Sequence, residues 1–246
     1  MKIMNEDLKK FIETCKVHNH YDFYNTPETD FESVHQKFNW IRDESNLPSL
    51  KLSINFPYEK VWEEVKSIEH RFVKHRGEKH PGWESMCIHG VNTEQTDDWR
   101  SPIYQDKGYT EKPLHTWTDI ADNCPVLKSW LSDVFPGEGG YDRIRFMMLR
   151  PGGYIFPHQD YDNRSLNAVN VAINNPEGCE FAMEDAGTIP WMPGDVRAID
   201  IGRKHCVYNG SSEDRIHIII HGNHNVKFKQ LVCDSYDHLL KNLSMA

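Results

Sequence analysis

Apolar residues recur at helical spacing in several segments outside the middle of the chain. From Leu8 to Cys15 they occupy positions i, i+3, i+4 and i+7, which is the pattern of one buried helix face. A second run follows Pro57, a residue suited to the first turn of a helix. A third ends before the turn sequence PGEGG at 136–140. The pattern predicts amphipathic helices that pack as scaffold, over about 8–15, 61–72, 124–135 and 229–243.

Between residues 141 and 222 the period of the apolar positions changes to two. Apolar and polar residues alternate as in half-buried strands over 143–148, 168–173 and 215–220. Turn sequences rich in Gly, Pro and Asn separate the runs at 151–153, 174–178, 193–195 and 209–210. This spacing predicts an antiparallel sandwich or jelly-roll barrel and not a parallel sheet with crossover helices. The expected fold class is mainly β with flanking helices (α+β).

The remaining segments complete a prediction of one domain over residues 1–246. Residues 83–89 indicate a further strand, and the polar segment 92–113 indicates a loop long enough to act as a lid. We expect three parts in the domain: a helical and irregular part that packs on a barrel, the barrel itself and a C-terminal helix, at 1–140, 141–222 and 223–246.

The composition limits the compartments and the classes of partner that we expect for the protein. The chain has 38% hydrophobic and 26% charged residues, as ordinary globular proteins do. Its formal net charge of −9 makes nucleic acid a poor partner, because phosphates would be repelled on average. It has neither an apolar run of membrane-spanning length nor an opening typical of a signal peptide, so we expect a soluble cytoplasmic protein that does not bind membranes. Six irregularly spaced cysteines indicate free thiols in a reducing compartment.

The strongest chemical signal is His158-Gln159-Asp160 with His205 further along the chain. Residues i and i+2 of a strand point to the same side, so an H-x-D sequence can direct an imidazole and a carboxylate at one point. A second imidazole from a distant strand would leave three positions of an octahedron free, which suits Fe(II) that must also bind a cosubstrate and O2. A second H-x-D, His20 and Asp22, has no alternating strand beside it, and we do not expect it to bind metal.

Arg215 begins a strand ten residues after His205. A planar guanidinium there could bind the free carboxylate of a cosubstrate that chelates the metal at its other end. By alternation His217 shares its strand face and can reach the same pocket. Asn167 is a further candidate for the cosubstrate, whereas His221 and His224, beyond the arginine, are expected to be structural.

Candidate substrate contacts lie on the same strands and loops. Arg145 or Arg164 could bind a substrate carboxylate, and Asn163 follows the metal-binding motif closely. Each arginine could equally be a surface or salt-bridge residue.

The order His158-x-Asp160, His205 and Arg215 resembles the 2-oxoglutarate and Fe(II)-dependent oxygenases. The segment from about 145 to 221 is similar to the aspartyl/asparaginyl β-hydroxylase family, which includes free-proline hydroxylases. The similarity rests on RFMMLRPGGYIFPH, on Asn163, on the Asn-Pro-Glu-Gly-Cys turn and on Trp191-x-Pro-Gly-Asp. The resemblance implies a double-stranded β-helix (cupin-like) core, iron bound by the two histidines and Asp160, and 2-oxoglutarate bound by Arg215.

Two features differ from the animal aspartyl hydroxylases of this family. Those enzymes lack the carboxylate ligand that this chain has at Asp160, and they have basic residues where this chain has Asn167 and Val169. The retained carboxylate also argues against a halogenase. Their substrate and cosubstrate contacts are therefore not transferred, and an epidermal-growth-factor-like substrate is not expected.

The function expected from the sequence is hydroxylation of an unactivated C–H bond in an amino acid, a peptidyl side chain or a related small molecule, with release of succinate and CO2. The alternatives are a cupin-like metal protein with a reaction that does not use 2-oxoglutarate, and a barrel that only binds its ligand. The sequence leaves the substrate and the oligomeric state open.

Overall fold

The computed structural model describes residues 4–22, 24–76, 79–102, 108–134, 141–222 and 224–245, apart from the side chains of Tyr141 and Asn167. The predicted turn sequence at 136–140 and residues 103–107 of the predicted loop lie outside this part of the chain. No helix in the described ranges is both long and apolar enough to cross a membrane.

Twelve strands are found in the described ranges. In chain order they are β1 Ser49–Lys51, β2 Val73–Lys74, β3 Trp83–Gly90, β4 Thr116–Trp117, β5 Tyr141–Leu149, β6 Tyr154–His158, β7 Leu166–Ala172, β8 Cys179–Met183, β9 Gly187–Thr188, β10 Val196–Asp200, β11 His205–Asn209 and β12 Arg215–Gly222.

The strands form two antiparallel sheets. The larger has the order β1-β10-β7-β12-β5-β3-β2, with β4 paired to β3, and the smaller has the order β6-β11-β8-β9. From β5 onward the chain passes back and forth between the sheets, so that strands adjacent in the sequence repeatedly fall in opposite sheets. This is a double-stranded β-helix, and the predicted fold class is confirmed.

Helices flank the sheets. They are α1 Glu6–Cys15, α2 Val34–Asp43, α3 Tyr58–Ser67, α4 Asp119–Asn123, α5 Pro125–Val134 and α6 Val226–Ser244. The four predicted helices correspond to α1, α3, α5 and α6. The prediction for α3 ran too far, because a short 3-10 turn at Glu69–Arg71 follows its end at Ser67.

Helix α2 was not predicted. The Ser33 side chain caps its first turn by accepting from the backbone N–H of Gln36, at 3.2 Å. Phe38 and Ile41 on its inner face are almost fully buried, and the helix packs against α6 and β7. A cap residue followed three positions later by Gln is a recognised start signal, so the sequence did contain the information.

The larger sheet is covered on both faces. Ile144 and Phe146 of β5 face the helices and belong to the main hydrophobic core. Arg145 and Met147, on the opposite face of β5, line a cavity between the sheets. The polar positions of the alternating pattern therefore face the interior of the barrel, and this orientation creates the candidate site.

Candidate active site

Two histidines lie opposite each other on neighbouring strands of the smaller sheet. His158 ends β6, His205 begins β11, and the two are direct partners in the antiparallel register. Their ring centroids are 4.4 Å apart. Oδ1 of Asp160, two residues after His158, lies 3.7 Å from His158 Nε2. One ligand atom from each of the three side chains lies within 4.8 Å of the other two, close enough to hold one metal ion.

The hydrogen bonds of both imidazoles leave Nε2 free for a metal. Nδ1 of His158 lies 2.8 Å from the Phe156 carbonyl oxygen, and Nδ1 of His205 lies 2.8 Å from that of Arg203. Because a carbonyl only accepts, Nδ1 carries the proton in each ring and Nε2 keeps its lone pair. Burial, followed by the nearby His158, lowers the pKa of His205 to about 4, so this imidazole is neutral at physiological pH. Its ring also stacks on Phe181.

Asp160 lies on an anchored turn. Its backbone N–H donates to the Ile201 carbonyl at 2.9 Å, which connects the segment after β6 to the turn before β11. At the neighbouring Gly202, an added Cβ would lie 1.9 Å from the Asn163 carbonyl oxygen, so the two segments are in close backbone contact. About half of the Asp160 side chain is exposed. The carboxylate is thus held in place by the backbone while remaining accessible.

The three residues fit a divalent iron ion. Two imidazole nitrogens and one carboxylate oxygen on one side of an octahedral ion leave three positions for other ligands. Structural zinc sites are usually closed by four tetrahedral protein ligands, a set that this cluster does not complete.

A cavity of about 490 Å³ between the sheets has all three residues in its wall. Arg215, at the start of β12, is 5% exposed and also lines it. Its Nε donates to Asn175 Oδ1 at 3.1 Å and its Nη2 donates to His217 Nδ1 at 3.2 Å. Within the described part of the chain no carboxylate lies within ion-pair distance of Arg215. Burial lowers its pKa to about 10, so the guanidinium is still charged and lacks a counterion.

His217 lies beside Arg215 as the alternation predicted, and it too lines the cavity. Burial, reinforced by the charge of Arg215, lowers its pKa well below the usual range. Nδ1 of His217 lies against Arg215 Nη2, whereas Nε2 has no partner among the described residues. The ring can therefore orient Arg215.

Of the three predicted substrate residues, only one lines the cavity. Arg145 is 6% exposed and lines the cavity. Asn163 and Arg164 do not line it, and Arg164 is a partly exposed side chain 3.8 Å from Asp185. These two residues belong to the turn after Asp160, whose backbone packs on Gly202, so their nearness to the motif in the sequence does not place them in the cavity wall. The side chain of Asn167 lies outside the described residues.

The second H-x-D is explained by packing. His20 lies 2.7 Å from Ser49 Oγ and 3.2 Å from the Ala186 carbonyl oxygen, and it does not belong to the metal-type cluster. His224 stacks on Phe228 in the outer core, as its predicted structural role requires. His221, for which a structural role was also expected, lies against Arg145 and lines the cavity.

Sequence reasoning missed several further cavity residues, among them His75, His80 and Arg143. Arg143 is two positions from Arg145 on β5, so the alternating pattern could have identified it. The two histidines precede β3 in a segment without periodicity, where no local signal was available. His80 accepts from the Phe156 backbone N–H through Nδ1 at 3.2 Å, and its ring centroid lies 6.1 Å from that of His158.

A double-stranded β-helix that brings two imidazoles and a carboxylate to the wall of a cation-lined cavity has the architecture of the 2-oxoglutarate and Fe(II)-dependent oxygenases. Within that class, the chain belongs to the aspartyl/asparaginyl β-hydroxylase family, whose model matches residues 54–225. The resemblance found in the sequence is thereby confirmed, and the protein is a 2-oxoglutarate-dependent non-haem iron dioxygenase with hydroxylase chemistry.

Several solved structures are similar to this one at low identity. A 2-oxoglutarate-Fe(II) oxygenase family oxidoreductase from Burkholderia pseudomallei is 11% identical with a TM-score of 0.45, over 82% of this chain and 93% of that one. A prolyl-4-hydroxylase from Pseudomonas putida is 12% identical with a TM-score of 0.41, over 78% and 100%. HygX from Streptomyces hygroscopicus is 10% identical with a TM-score of 0.41, over 76% and 86%. No curated protein matches the sequence.

Proposed function

We propose that His158, Asp160 and His205 bind the Fe(II) of this enzyme and that Arg215 binds the distal carboxylate of 2-oxoglutarate. With O2, the enzyme would hydroxylate an unactivated C–H bond of an amino acid, a peptidyl side chain or a related small molecule. The observation that carries the proposal is the convergence of three ligand atoms within 4.8 Å in the wall of a cavity that also contains an uncompensated arginine.

When bound, iron and 2-oxoglutarate supply an oxidative decarboxylation that gives succinate and CO2 and transfers one oxygen atom of O2 to the substrate. The protein holds the ligand atoms in place. The Phe156 and Arg203 carbonyls fix the tautomers of the two histidines and so direct Nε2 at the ion. Asp160 contributes a negative charge on an anchored turn.

The environment of Arg215 suits one carboxylate of a small dicarboxylic acid. Asn175 and His217 occupy Nε and Nη2, which leaves the other guanidinium N–H groups available. A carboxylate there would also compensate a charge that is otherwise buried without a counterion, and it would accept charge-assisted hydrogen bonds.

We also propose that the chain is a single domain. The helices α2 and α6 pack together, and they contact β7 and β1 of the larger sheet, respectively. The hydrophobic cluster that contains β5, β7 and β12 residues is shared with α2, α3, α5 and α6, so these helices and the larger sheet have a common core.

The test is an anaerobic titration of the Fe(II) protein with 2-oxoglutarate, monitored by visible absorption. A chelate of the cosubstrate with iron gives a metal-to-ligand charge-transfer band, and admission of O2 should then release succinate. A protein that binds Fe(II) but develops no band would support the cupin-like alternative, whereas unchanged metal affinity in His205→Ala would support a role in binding alone. His205→Ala should lose both signals.

A further inference from the structure

Two cationic sites lie at different levels of the cavity. On the paired strands β5 and β12, Arg215 is opposite Leu149, whereas Arg145 is opposite Ile219 and Arg143 is opposite His221. Arg145 is thus four residues along β5 from the level of Arg215, or about 13 Å at the usual rise of a strand.

The side chains do not close this gap. Arg215 leans toward His217, to which it donates a hydrogen bond. Arg145 leans the same way along the sheet, with Nη2 lying 3.4 Å from His221 Nε2. The contacted histidines are again four residues apart. In the proposed function the keto-acid end of 2-oxoglutarate is at the metal and its other carboxylate is at Arg215, so the cosubstrate has no further acid group for the second site.

The cavity wall is strongly cationic for a protein with a formal net charge of −9. Among the described lining residues are five arginines and two aspartates: Arg76, Arg100, Arg143, Arg145 and Arg215, and Asp98 and Asp160. Iron and Asp160, together with Arg215 and the two carboxylates of 2-oxoglutarate, balance one another in charge. The other arginines form a separate group.

Within that group only two arginines have counterions. Arg76 pairs with Asp97 at 2.7 Å, and Arg100 pairs with Asp98 at 3.0 Å. No carboxylate of the described residues lies within ion-pair distance of Arg143 or Arg145. Three guanidinium nitrogens are buried without a hydrogen-bond partner among the described residues. They are Nε of Arg145 and both Nε and Nη1 of Arg143. Two adjacent guanidiniums on one strand face therefore lack a directly paired carboxylate among the described residues.

The neighbouring histidines do not supply the missing charge. His75 and His221 lie within 3.4 Å of the Arg145 guanidinium nitrogens, where a ring nitrogen can only accept. Burial, followed by the charge of Arg145, lowers the pKa of both, that of His221 to about 3. The remaining described contact of Arg145 is a 2.8 Å hydrogen bond from Nη1 to the Thr96 carbonyl, which orients the guanidinium without neutralising it.

We propose that Arg143 and Arg145 bind a carboxylate of the substrate, so that the substrate is a carboxylic acid whose acid group lies at the end of the cavity away from Arg215. This inference rests on the proposed function of the metal cluster. It places the acid group on β5, whereas the basic positions of the animal aspartyl hydroxylases fall on β7, where this chain has Asn167 and Val169.

A carboxylate suits the site better than a phosphate ester does. The cavity of about 490 Å³ must also hold the cosubstrate, which leaves room for a compact group. A planar carboxylate can receive parallel N–H donors from a guanidinium, and two guanidiniums can share its two oxygens. The acid group would then fix which C–H bond lies at the metal, since the substrate is held at a set distance from it.

The experiment uses the anaerobic Fe(II)·2-oxoglutarate form of the full chain. Calorimetry measures the binding of aliphatic L-amino acids, their N-acetyl derivatives and short dicarboxylic acids, each compared with its matched carboxamide and with a phosphate-bearing analogue. At least one acid should bind more tightly than its amide by about tenfold or more, because a charge-assisted hydrogen bond contributes about 1.5 to 3 kcal/mol. The same acid should stimulate succinate release when O2 is admitted.

Two variants locate the effect. Arg143→Gln removes a side chain that makes no described hydrogen bond, and Arg145→Gln removes one that makes several, so the first remains informative if the second folds poorly. Both should weaken the acid about tenfold and leave the weak binding of the amide unaltered. Arg164→Gln, an exposed arginine outside the cavity, is the matched control and should change neither.

Three outcomes would overturn the inference. They are a panel in which no acid binds more tightly than its amide, a preference that survives in Arg143→Gln, and a preference for phosphate over carboxylate. Failure of the proposed function looks different, because the charge-transfer band with 2-oxoglutarate would then be missing from the wild-type protein before any acid is added.

Discussion

His158 and His205 face each other directly across β6 and β11, with ring centroids 4.4 Å apart and both Nδ1 atoms hydrogen-bonded to backbone carbonyls. The backbone therefore sets both the separation of the two rings and their tautomers before any metal binds. Such preorganisation keeps the entropic cost of assembling the site low.

Removal of His205 should abolish tight metal binding. We expect His205→Ala to lower the affinity for Mn(II), used as an oxygen-stable substitute for Fe(II), by more than about a hundredfold, since loss of even an outer partner of a metal ligand costs 10- to 100-fold. Isothermal titration calorimetry measures the affinity for Mn(II). His20→Gln alters the other H-x-D sequence and should leave the affinity unchanged. Equal losses in the two variants would contradict the assignment.

Arg215 should strengthen the binding of 2-oxoglutarate without adding to the unfolding free energy of the protein alone. Arg215→Met removes two or more charge-assisted hydrogen bonds to the carboxylate, each about 1.5 to 3 kcal/mol, so the Kd of 2-oxoglutarate should rise more than about a hundredfold. The unfolding free energy without cosubstrate should not fall, because an uncompensated buried charge is also removed. Thermal unfolding with and without 2-oxoglutarate measures both effects.

Arg164→Met is the control for this variant, since Arg164 is partly exposed and lies outside the cavity. Its Tm should increase with 2-oxoglutarate as much as that of the wild-type protein. If Arg215→Met kept the full increase, Arg215 would not bind the cosubstrate.

The alternating pattern predicted the strands but not which of their faces would line a cavity. On β5, Phe146 and Arg145 point to opposite sides, and a half-buried strand would place the arginine in water. Here the helices cover the apolar face and the smaller sheet covers the polar one, so Arg145 is as buried as a core residue. That information depends on tertiary packing and is not present in the local sequence.

The metal cluster was predictable because two of its members are close in the sequence. Asp160 lies two positions after His158, just beyond the end of β6, and the barrel sequence around them distinguished them from His20 and Asp22. The position of His80 near His158 was not predictable, because it depends on a hydrogen bond to the Phe156 backbone from a segment distant in the sequence. The same limit applies to Asn163, whose nearness in sequence to Asp160 did not bring it into the cavity.

His20 should make stability depend on pH. Burial, followed by the charge of Arg197, lowers its pKa to about 4, below its unfolded value of about 6.5. Between these values the unfolded state binds more protons, so the stability contributed by the neutral ring is present above about pH 6.5 and is lost as the pH falls toward 4. The loss should reach about 3 kcal/mol at most.

Urea unfolding at pH 7 and pH 4.5 tests this, with His20→Gln for comparison. The glutamine cannot be protonated, so the stability difference between the wild-type protein and the variant should shrink at the lower pH. An unchanged difference would show that another group causes the acid sensitivity.

The close backbone packing at Gly202 should influence the affinity of the nearby metal site. An added Cβ would lie 1.9 Å from the Asn163 carbonyl oxygen, and neither backbone can move without displacing the segment that Asp160 begins. We expect Gly202→Ala to destabilise the fold by about 1 to 3 kcal/mol through overpacking. Because Asp160 is shifted and not removed, the affinity for Mn(II) should fall by about tenfold, less than in His205→Ala.

Gly108→Ala is the matched control. Its Cβ would meet no atom within 4 Å, although its φ of +67° imposes a backbone cost of about 1 kcal/mol. It should lose stability without losing metal affinity, and a Gly202→Ala protein that binds Mn(II) as tightly as the wild type would show that the turn does not position Asp160.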